Sequence, residues 1–328
     1  MWTSILGQKN RPFLALSPMA DMTDSPFCQI VRKIGGADVV FREMVSSEAI
    51  VRENVKTLGM TDFAAAERPI VQQIFGSDPA TMARAAALIM EHAAPEGIDI
   101  NMGCPVYKIT SHFNGCALMK EPDRAAAIIR AVKHAVGPTP LSVKIRLGWS
   151  DPDEFKKFIP VIEAAGADLI AVHGRTKAQG YGGASDWRRI GEAKAVARVP
   201  VLANGDIHRP EQVAAALEAT GADGVLIARG ALGNPWFFWA VAHPGARISL
   251  GERASVVLEH SRLHMARYGE RGLVTFRKHL AWYFKASRVG EDVPGLKQIR
   301  AELVRVSTYD GLAEILRPFS ARPPQPDS

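Results

Sequence analysis

Short runs of apolar and β-branched residues recur along the first 230 residues of the chain, and helical patterns fill the segments between them. The runs begin roughly 25 to 30 residues apart, with one longer interval of about 43, which is the length of a strand–helix–strand unit. Their near-continuous Val, Ile and Leu content is typical of parallel strands that are buried on both faces. The predicted strands are Leu14–Met19, Val39–Met44, Ile70–Phe75, Ile98–Met102, Leu141–Leu147, Leu169–His173, Val199–Ala203 and Gly224–Ala228.

Eight such units predict an α/β fold, the (β/α)8 TIM barrel. Proline and capping residues precede the helical segments 80–94, 124–136 and 212–220, as expected at helix N-termini. An open doubly wound sheet is the alternative. The number of repeats and the lack of a Gly-x-Gly-x-x-Gly motif after the first strand argue against it.

The pattern changes after residue 245, where strand-like runs stop. Segments 251–268, 271–287, 295–307 and 310–317 have helical periodicity and predict a small all-α bundle. The predicted domains are therefore a barrel over 1–245 and a helical domain over 246–320. The last residues, 321–328, are rich in proline and are predicted to be a disordered tail.

Composition narrows the class of protein. The chain has 328 residues, 47% of them hydrophobic, and only three cysteines. A disulfide framework is therefore not expected, and the low cysteine content fits a protein of the reducing cytoplasm. The longest apolar run, Pro235–Ala242, is too short to span a bilayer, and the N-terminus lacks a signal-peptide pattern. We therefore expect a cytoplasmic protein with no membrane partner. We also expect it to be a monomer, an expectation that no feature of the composition carries.

The net charge of +6 is concentrated in the C-terminal part. Residues 246–328 hold 14 Lys and Arg against 9 Asp and Glu, whereas the first 245 residues hold 26 against 25. This asymmetry indicates either an anionic partner for the helical domain or an ordinary solvated helical surface. The basic residues that could contact an anionic partner are Arg271, Arg277, Lys278, Lys285 and Arg288. Aromatic residues lie between them in the sequence, and these aromatics are more typical of a bundle core.

The predicted strands end in polar residues, and the active sites of TIM barrels lie at these ends. Polar side chains that converge on one barrel mouth are costly to bury unless a ligand or one another satisfies them. Two of these ends, Asn204-Gly205-Asp206 and Ala228-Arg229-Gly230, contain glycines that let backbone amides approach an anion, and they predict a phosphate site. The other polar candidates at strand ends are Gln72, Gln73, Asp99, Asn101, Lys144, Arg146, His173 and Arg175.

Three residues at the strand ends, Lys144, His173 and Cys104, have side chains with recognisable chemistry. A cation such as Lys144 beside a flavin would stabilise the negative charge of the reduced ring, and His173 is a second candidate contact. Cys104 opens a long connection after the fourth strand and is a candidate nucleophile or general acid. The structural alternatives are an ion pair between Lys144 and Glu43 or Asp99, a buried structural histidine, and a small buried cysteine. The cysteines lack zinc-ligand spacing, so no metal site is predicted.

In combination, these segments resemble the tRNA-dihydrouridine synthases, with the closest similarity to bacterial-type enzymes. The resemblance covers nearly the whole chain, and the order of its Gly-Cys-Pro and His-Gly-Arg-Thr segments is highly specific. The motifs that carry it are Ser17-Pro18-Met19-Ala20, Gln72, Asp99-Ile100-Asn101-Met102-Gly103-Cys104-Pro105, Val143-Lys144-Ile145-Arg146, Val172-His173-Gly174-Arg175-Thr176, Ala203-Asn204-Gly205-Asp206 and Ala228-Arg229-Gly230.

The resemblance implies an FMN enzyme that uses NADPH to reduce the C5–C6 bond of one uridine in tRNA, with Cys104 as proton donor. It further implies that Asn101, Arg146 and Arg175 bind the substrate, and that the helical domain binds tRNA. The residues it assigns to FMN are Pro18, Met19, Ala20, Gln72, Lys144, His173, Asn204, Gly205, Asp206, Ala228 and Arg229.

Two other functions are compatible with parts of the sequence. A dehydrogenase of a free pyrimidine, similar to dihydroorotate dehydrogenase, would share the barrel and the flavin, but the basic helical domain argues against it. A non-catalytic RNA-binding barrel would retain the domain, but Cys104, Lys144 and His173 argue against it.

Overall fold

A computed structural model of the protein describes residues 12–269, 271–289 and 293–320. Eight parallel strands close into a barrel in which each strand pairs with the next and the last pairs with the first. The predicted TIM barrel is confirmed. The strands are β1 Phe13–Leu16, β2 Val39–Ser46, β3 Ile70–Phe75, β4 Gly97–Met102, β5 Leu141–Arg146, β6 Leu169–His173, β7 Val201–Asn204 and β8 Gly224–Ile227.

Helices connect successive strands and form the outer layer. Asp24, Asp78 and Asp186 cap three of them by accepting hydrogen bonds from backbone N–H groups of the first turn. The barrel helices are α1 Ser25–Ile34, α2 Ser47–Val51, α3 Val55–Gly59, α4 Pro79–His92, α5 Tyr107–Thr110, α6 Pro122–Val136, α7 Phe155–Ala164, α8 Trp187–Val196, α9 Gln212–Thr220 and α10 Phe237–Val241, with 3-10 turns at Ala65–Glu67 and Gly115–Lys120.

A helical region with its own apolar core follows the barrel, as predicted. Its buried cluster includes Leu273, Phe276, Tyr283 and Phe284, so these three aromatic side chains are core residues. The domain boundary at residue 245 stays a prediction, and the predicted tail 321–328 lies outside the described residues. The helices are α11 Leu250–Tyr268, α12 Gly272–Tyr283, α13 Ala286–Val289, α14 Leu296–Leu303 and α15 Tyr309–Ser320.

Several predicted elements differ from the observed ones by a few residues at their ends, and two further differences change the path of the chain. Strand β1 ends at Leu16 rather than Met19, because Pro18 has no N–H to donate to a ladder and the chain turns there. The helix predicted over 271–287 is two helices, broken around Phe284 and Lys285.

Alternation along the strands sorts side chains between two cores. In β3, Ile70 and Ile74 join the large cluster between strands and helices, whereas Val71 joins a smaller cluster in the barrel interior. Because successive side chains point to opposite faces, this phase decides which polar residues reach the barrel mouth.

Arginines join the helical region to the barrel. The buried guanidinium of Arg253 donates to the carbonyl of Gly233 at 2.9 Å and to that of Arg288 at 2.7 Å. Arg288 in turn donates to the carbonyls of His208 and Arg229, 3.0 and 2.6 Å away. The helical region therefore supports the loops that follow β7 and β8. No helix in the described ranges is long and apolar enough to cross a membrane.

Candidate active site

A cavity of about 960 Å³ opens at the C-terminal ends of the strands. This volume lies near the upper end of the range of small-molecule sites, so it has room for a cofactor and part of a substrate. The structure brings together most of the predicted residues in its wall, namely Pro18, Met19, Ala20, Asn101, Cys104, Lys144, Arg146, His173, Asn204, Gly205, Asp206, Ala228 and Arg229.

Gln72 is not on the cavity, and Gln73 is. Gln72 shares the outward phase of Ile70 and Ile74, and its amide donates to the carbonyls of Glu43 and Gln73 at 2.9 and 3.0 Å. The predicted cofactor contact at Gln72 is therefore corrected, because strand alternation turns its side chain away from the mouth.

A chain of hydrogen bonds runs from the cavity floor to the backbone of Cys104. The Asp99 carboxylate accepts from Gln73 Nε2, and Gln73 Oε1 accepts from Asn101 Nδ2, at 2.6 and 2.8 Å. The Asn101 oxygen then accepts from the N–H groups of Gly103 and Cys104, at 3.1 and 2.9 Å. Asn101 thus holds the turn that presents the Cys104 side chain to the cavity.

Two charged groups of opposite sign lie at the floor of the cavity, the buried Asp99 carboxylate and the half-buried Lys144 ammonium. Burial raises the pKa of Asp99 to about 6, against hydrogen bonds from Ser142 and Gln73 that lower it. Burial also lowers the pKa of Lys144 to about 8, and the guanidinium of Arg146 adds to that effect while Asp99 opposes it. The Lys144 ammonium borders the cavity, where an electron-rich ligand edge would favour its charged form.

We expect Asp99→Asn to remove one pH-dependent contribution to stability. The pKa of Asp99 in the folded protein, about 6, exceeds its ordinary value of 3.8, so the folded state holds the proton more tightly. Stability from this proton is complete below about pH 4 and is lost as the pH rises through 6, a loss of about 3 kcal/mol. Urea unfolding of ligand-free protein between pH 4 and 7 should show the wild type losing this much relative to the variant. Asp123→Asn, at an exposed position, is the matched control, and parallel curves for wild type and Asp99→Asn would contradict the assignment.

His173 is held in one neutral form by Arg175. Burial, together with the charge of Lys144 and of nearby guanidiniums, lowers the pKa of His173 far below its usual value. Arg175 Nη1 lies 3.2 Å from His173 Nε2. Because a guanidinium only donates, Nε2 is the acceptor and the ring proton resides on Nδ1.

Arg175 is not on the cavity wall, although a substrate contact is predicted for it. Its buried guanidinium donates to the carbonyls of Gly182 and Gly183, at 3.1 and 2.6 Å, and pairs with Asp206 at 2.6 Å. It lies behind His173 and Asp206, and the structure supports a positioning role rather than substrate contact.

The loop after β7 needs glycine at position 205. Gly205 has φ of +118°, and a Cβ there would lie 2.3 Å from Ser185 Oγ and 2.7 Å from His173 Cδ2. Neighbouring hydrogen bonds hold the loop in place, with Asn204 Nδ2 donating to the carbonyl of Leu226 at 2.6 Å. The result is a narrow cradle between the ends of β7 and β8.

Arg146 and Tyr181 also line the mouth, and the Tyr181 ring lies between Arg146 and Arg229. The Arg146 guanidinium donates to the carbonyls of Gly103, Thr176 and Gly180, at 2.9, 2.9 and 2.7 Å. It also lies 5.5 Å from the centre of the Tyr181 ring, whose side chain is 63% exposed. An exposed aromatic ring at the mouth can stack on a nucleobase.

The three cysteines have different environments. Cys104 is partly exposed on the cavity, whereas Cys28 and Cys116 are completely buried. Burial raises the pKa of the Cys116 thiol to about 12, and this residue packs beside Met119. Cys28 belongs to the buried face of α1, so among the three cysteines only Cys104 is placed for chemistry in the cavity.

Comparison with known proteins identifies the family. The model of the dihydrouridine synthase (Dus) family matches residues 15–320. The chain belongs to the dihydrouridine synthase family. One relative of this family member is a probable tRNA-dihydrouridine synthase 1 from Synechocystis sp. The two sequences are 38% identical over 308 residues, which cover 92% of this chain and 84% of the relative.

A probable tRNA-dihydrouridine synthase from Rhodobacter capsulatus is 37% identical over 322 residues, which cover 95% of this chain and 96% of the relative. Among solved structures, the barrel is similar to an old yellow enzyme homologue from Zymomonas mobilis, with a TM-score of 0.52 and 14% identity over 73% of this chain and 90% of that one. The family predicted for the sequence is confirmed.

For this dihydrouridine synthase family member, the sequence analysis assigned no ligand contact to Gln73 or Tyr181, and it named Asp99 only as a polar strand-end residue and an alternative ion-pair partner of Lys144. The phase of β3 could have identified Gln73, because it has the same parity as the interior residue Val71. Asp99 is two residues before Asn101 and shares its face in the same way. Tyr181 lies in a loop, where no periodicity indicates its direction.

Proposed function

We propose that this protein is a tRNA-dihydrouridine synthase that reduces the C5–C6 double bond of a uridine in tRNA to 5,6-dihydrouridine. FMN is the proposed cofactor, NADPH the proposed reductant and Cys104 the proposed proton donor. The observation that carries the proposal is the convergence of the Cys104 thiol, the Lys144 ammonium and the His173 imidazole on one cavity in a member of this family.

The cavity fits a flavin mononucleotide. In the Gly205 cradle the turn packs closely on Ser185 and His173, and the Arg229 guanidinium lies beside it on the cavity wall, so a phosphate suits this end. Lys144, His173 Nδ1–H and the Gln73 amide suit the polar edge of the ring system, and the segment Pro18, Met19 and Ala20 supplies its apolar contact. When bound, the reduced flavin supplies a hydride to an electron-poor carbon.

The chain's own contribution to the reduction is a placed proton donor. Addition of hydride to C6 of a uracil leaves negative charge toward O4 and C5, and a thiol within reach of C5 neutralises it by protonation. The hydrogen bonds from Gly103 N–H and Cys104 N–H to Asn101 fix the turn that carries that thiol. Asn101 and Arg146 line the same cavity and are the proposed contacts to the base.

A uridine within folded tRNA reaches this cavity only when it is turned out of its stack, which costs a few kcal/mol. Exposed aromatic and basic side chains at the mouth can offset that cost by stacking and phosphate contact. Tyr107 and Phe113 follow Cys104 in the chain and are 82% and 53% exposed, and Lys108 lines the cavity beside them.

The helical region is the second proposed tRNA surface, although fewer of its cations are available than the sequence indicates. Arg277 and Arg288 donate to backbone carbonyls within the protein, and Lys278 lies 3.7 Å from the carboxylate of Asp24. Arg271 and Lys285 are exposed and remain candidates for phosphate contact.

Purified protein should be yellow and should convert unmodified tRNA to dihydrouridine-containing tRNA with NADPH. Free uracil and orotate, at equal concentration, should not turn over, because they lack the tRNA phosphates whose contacts stabilise binding at the mouth. Mass spectrometry of digested tRNA measures the product. Turnover of the free base alone would instead identify a free-pyrimidine dehydrogenase, and a colourless protein that binds tRNA without turnover would identify a binding protein.

A further inference from the structure

Four buried polar side chains meet outside the cavity, where the helical region contacts the barrel. Asp24 is the N-cap of α1, His260 and His264 lie one turn apart on α11, and His279 lies on α12. One potential metal-ligand atom from each lies within 4.8 Å of the others. All four residues are at most 1% exposed. We refer to them as the His–Asp cluster.

The imidazoles of the His–Asp cluster turn unpartnered nitrogens inward. His260 Nε2, His264 Nδ1 and His279 Nε2 are buried and lack a hydrogen-bond partner. Buried polar atoms are normally paired, and three orphans at one point call for an explanation such as an ion. The barrel chemistry described above uses none of them.

The tautomer of His264 follows from its neighbours. Thr275 Oγ1 donates its proton to the carbonyl of Gly272 at 3.0 Å, so it accepts from His264 Nε2 at 2.9 Å. Nε2 therefore carries the ring proton of neutral His264, and Nδ1 presents a lone pair. That lone pair lies 3.3 Å from Asp24 Oδ2, which is also an acceptor, so either a proton or a metal cation between the two atoms would make the contact favourable.

The spacing suits a metal ion as that cation. Tetrahedral zinc with bonds of about 2.0–2.1 Å places neighbouring ligand atoms about 3.4 Å apart, close to the separation of His264 Nδ1 and Asp24 Oδ2. His260 Nδ1 lies 3.0 Å from the Tyr283 hydroxyl, so donation to that oxygen leaves Nε2 free to ligate. Such outer hydrogen bonds orient the histidine ligands of metal sites.

The surroundings of the His–Asp cluster are apolar and closed. The ring of Phe27 lies 5.6 Å from that of His260, and the ring of Phe276 lies 4.7 Å from it on another side. Two further polar groups face Asp24 Oδ2, the hydroxyl of Tyr268 at 3.3 Å and the ammonium of Lys278 at 3.7 Å. Both groups interact with the Asp24 carboxylate, and neither is a hydrogen-bond partner of the three unpartnered histidine nitrogens.

We propose that the His–Asp cluster binds one divalent transition-metal ion, zinc by preference, in a closed tetrahedral site. Three imidazoles and one carboxylate are a ligand set that zinc accepts, and the absence of thiolates from the set disfavours copper(I) and iron–sulfur centres. With four protein ligands and no exposed ligand, the ion is structural rather than catalytic.

The proposed ion fixes the helical region to a loop of the cavity. Asp24 follows Thr23, whose hydroxyl accepts from the N–H of Met19 at 2.8 Å, and Met19 lines the cavity. The ion would therefore tie α11 and α12 to the segment that forms one cavity wall. Because the ligands come together only in the folded chain, binding of the ion stabilises the fold.

The first test measures metal in the full-length protein, purified without a polyhistidine tag or chelator. We expect about one zinc per chain by inductively coupled plasma mass spectrometry. Removal of the ion with dipicolinate should lower the melting temperature, and Zn²⁺ alone should restore it. Co²⁺ added to the stripped protein should give the visible absorption bands of tetrahedral coordination with one equivalent bound. A wild-type protein that is isolated without metal, and that shows neither Co²⁺ bands nor a Zn²⁺-dependent melting temperature, overturns the proposal.

The second test assigns the ion to these residues. Asp24→Asn removes the charged ligand but keeps a side chain that caps α1 well, and His279→Ala removes one imidazole. Both should reduce bound metal at least fivefold, whereas His134→Ala, at an exposed position on α6, should not. Unchanged metal content in Asp24→Asn and His279→Ala would place the ion elsewhere and overturn the proposal. If His279→Ala fails to fold, Asp24→Asn and the Co²⁺ spectrum of the wild type decide.

Discussion

Cys104→Ala is expected to lower the rate of uridine reduction in tRNA by about 10²–10⁴-fold, which is the usual contribution of a placed general acid. The variant should keep its flavin, because the thiol lies on the turn after β4 and the Gly205 cradle lies at the other end of the barrel mouth. Single-turnover measurement with reduced enzyme and unmodified tRNA separates the chemical step from cofactor binding. The ratio of flavin absorbance to protein absorbance reports occupancy.

Cys116→Ala is the matched control for this prediction. Cys116 lies in the same connection and its N–H donates to the Cys104 carbonyl at 3.1 Å, yet its side chain is buried away from the cavity. Loss of its sulfur leaves the backbone bond intact and should change turnover only a few-fold. Wild-type turnover in Cys104→Ala would show that another group, or solvent, protonates C5.

Gly205→Ala is expected to abolish stable binding of the cofactor. The new methyl group would lie 2.3 Å from Ser185 Oγ and 2.7 Å from His173 Cδ2, so the loop must move away from the position that forms the cradle. The backbone angle of +118° adds strain for any residue with a Cβ. We expect the flavin content after gel filtration to fall by at least tenfold, with activity lost in proportion.

Gly221→Ala separates this effect from a general loss of stability. Gly221 also has a positive φ, +58°, at the C-terminus of α9, but a Cβ there meets no atom within 4 Å. Its substitution should cost roughly 1–2 kcal/mol of strain and leave the flavin content unchanged. Full flavin occupancy in Gly205→Ala would show that the phosphate end of the cofactor lies elsewhere.

Much of the candidate site could be predicted because strand ends of a parallel barrel meet at one mouth. Lys144, His173 and Asn204 lie on different strands, and their positions at strand ends were sufficient to bring them together. Gln72 is the instructive error. The motif contains two glutamines, and only the phase of β3 relative to the barrel interior distinguishes the one that reaches the cavity.

Roles that depend on hydrogen-bond partners were beyond the sequence. The family resemblance implies that Arg175 contacts the substrate, but its donors are directed to Asp206, His173 and backbone carbonyls. Arg277 and Arg288 look like phosphate contacts when counted as charges, but they hold the helical region together and join it to the barrel. The presence of an arginine in the sequence does not indicate whether its N–H donors are already hydrogen-bonded to carbonyls of the same protein.

By itself, the sequence determined the barrel, the helical region after it and the family, because periodicity and strand-end motifs are local properties of the chain. The tertiary structure alone decided which polar groups meet across long separations. Asp24 and His279 are more than 250 residues apart, and the expectation of no metal rested on cysteine spacing only. Their approach depends on packing α11 and α12 against the start of α1, a contact between surfaces that no spacing along the chain encodes.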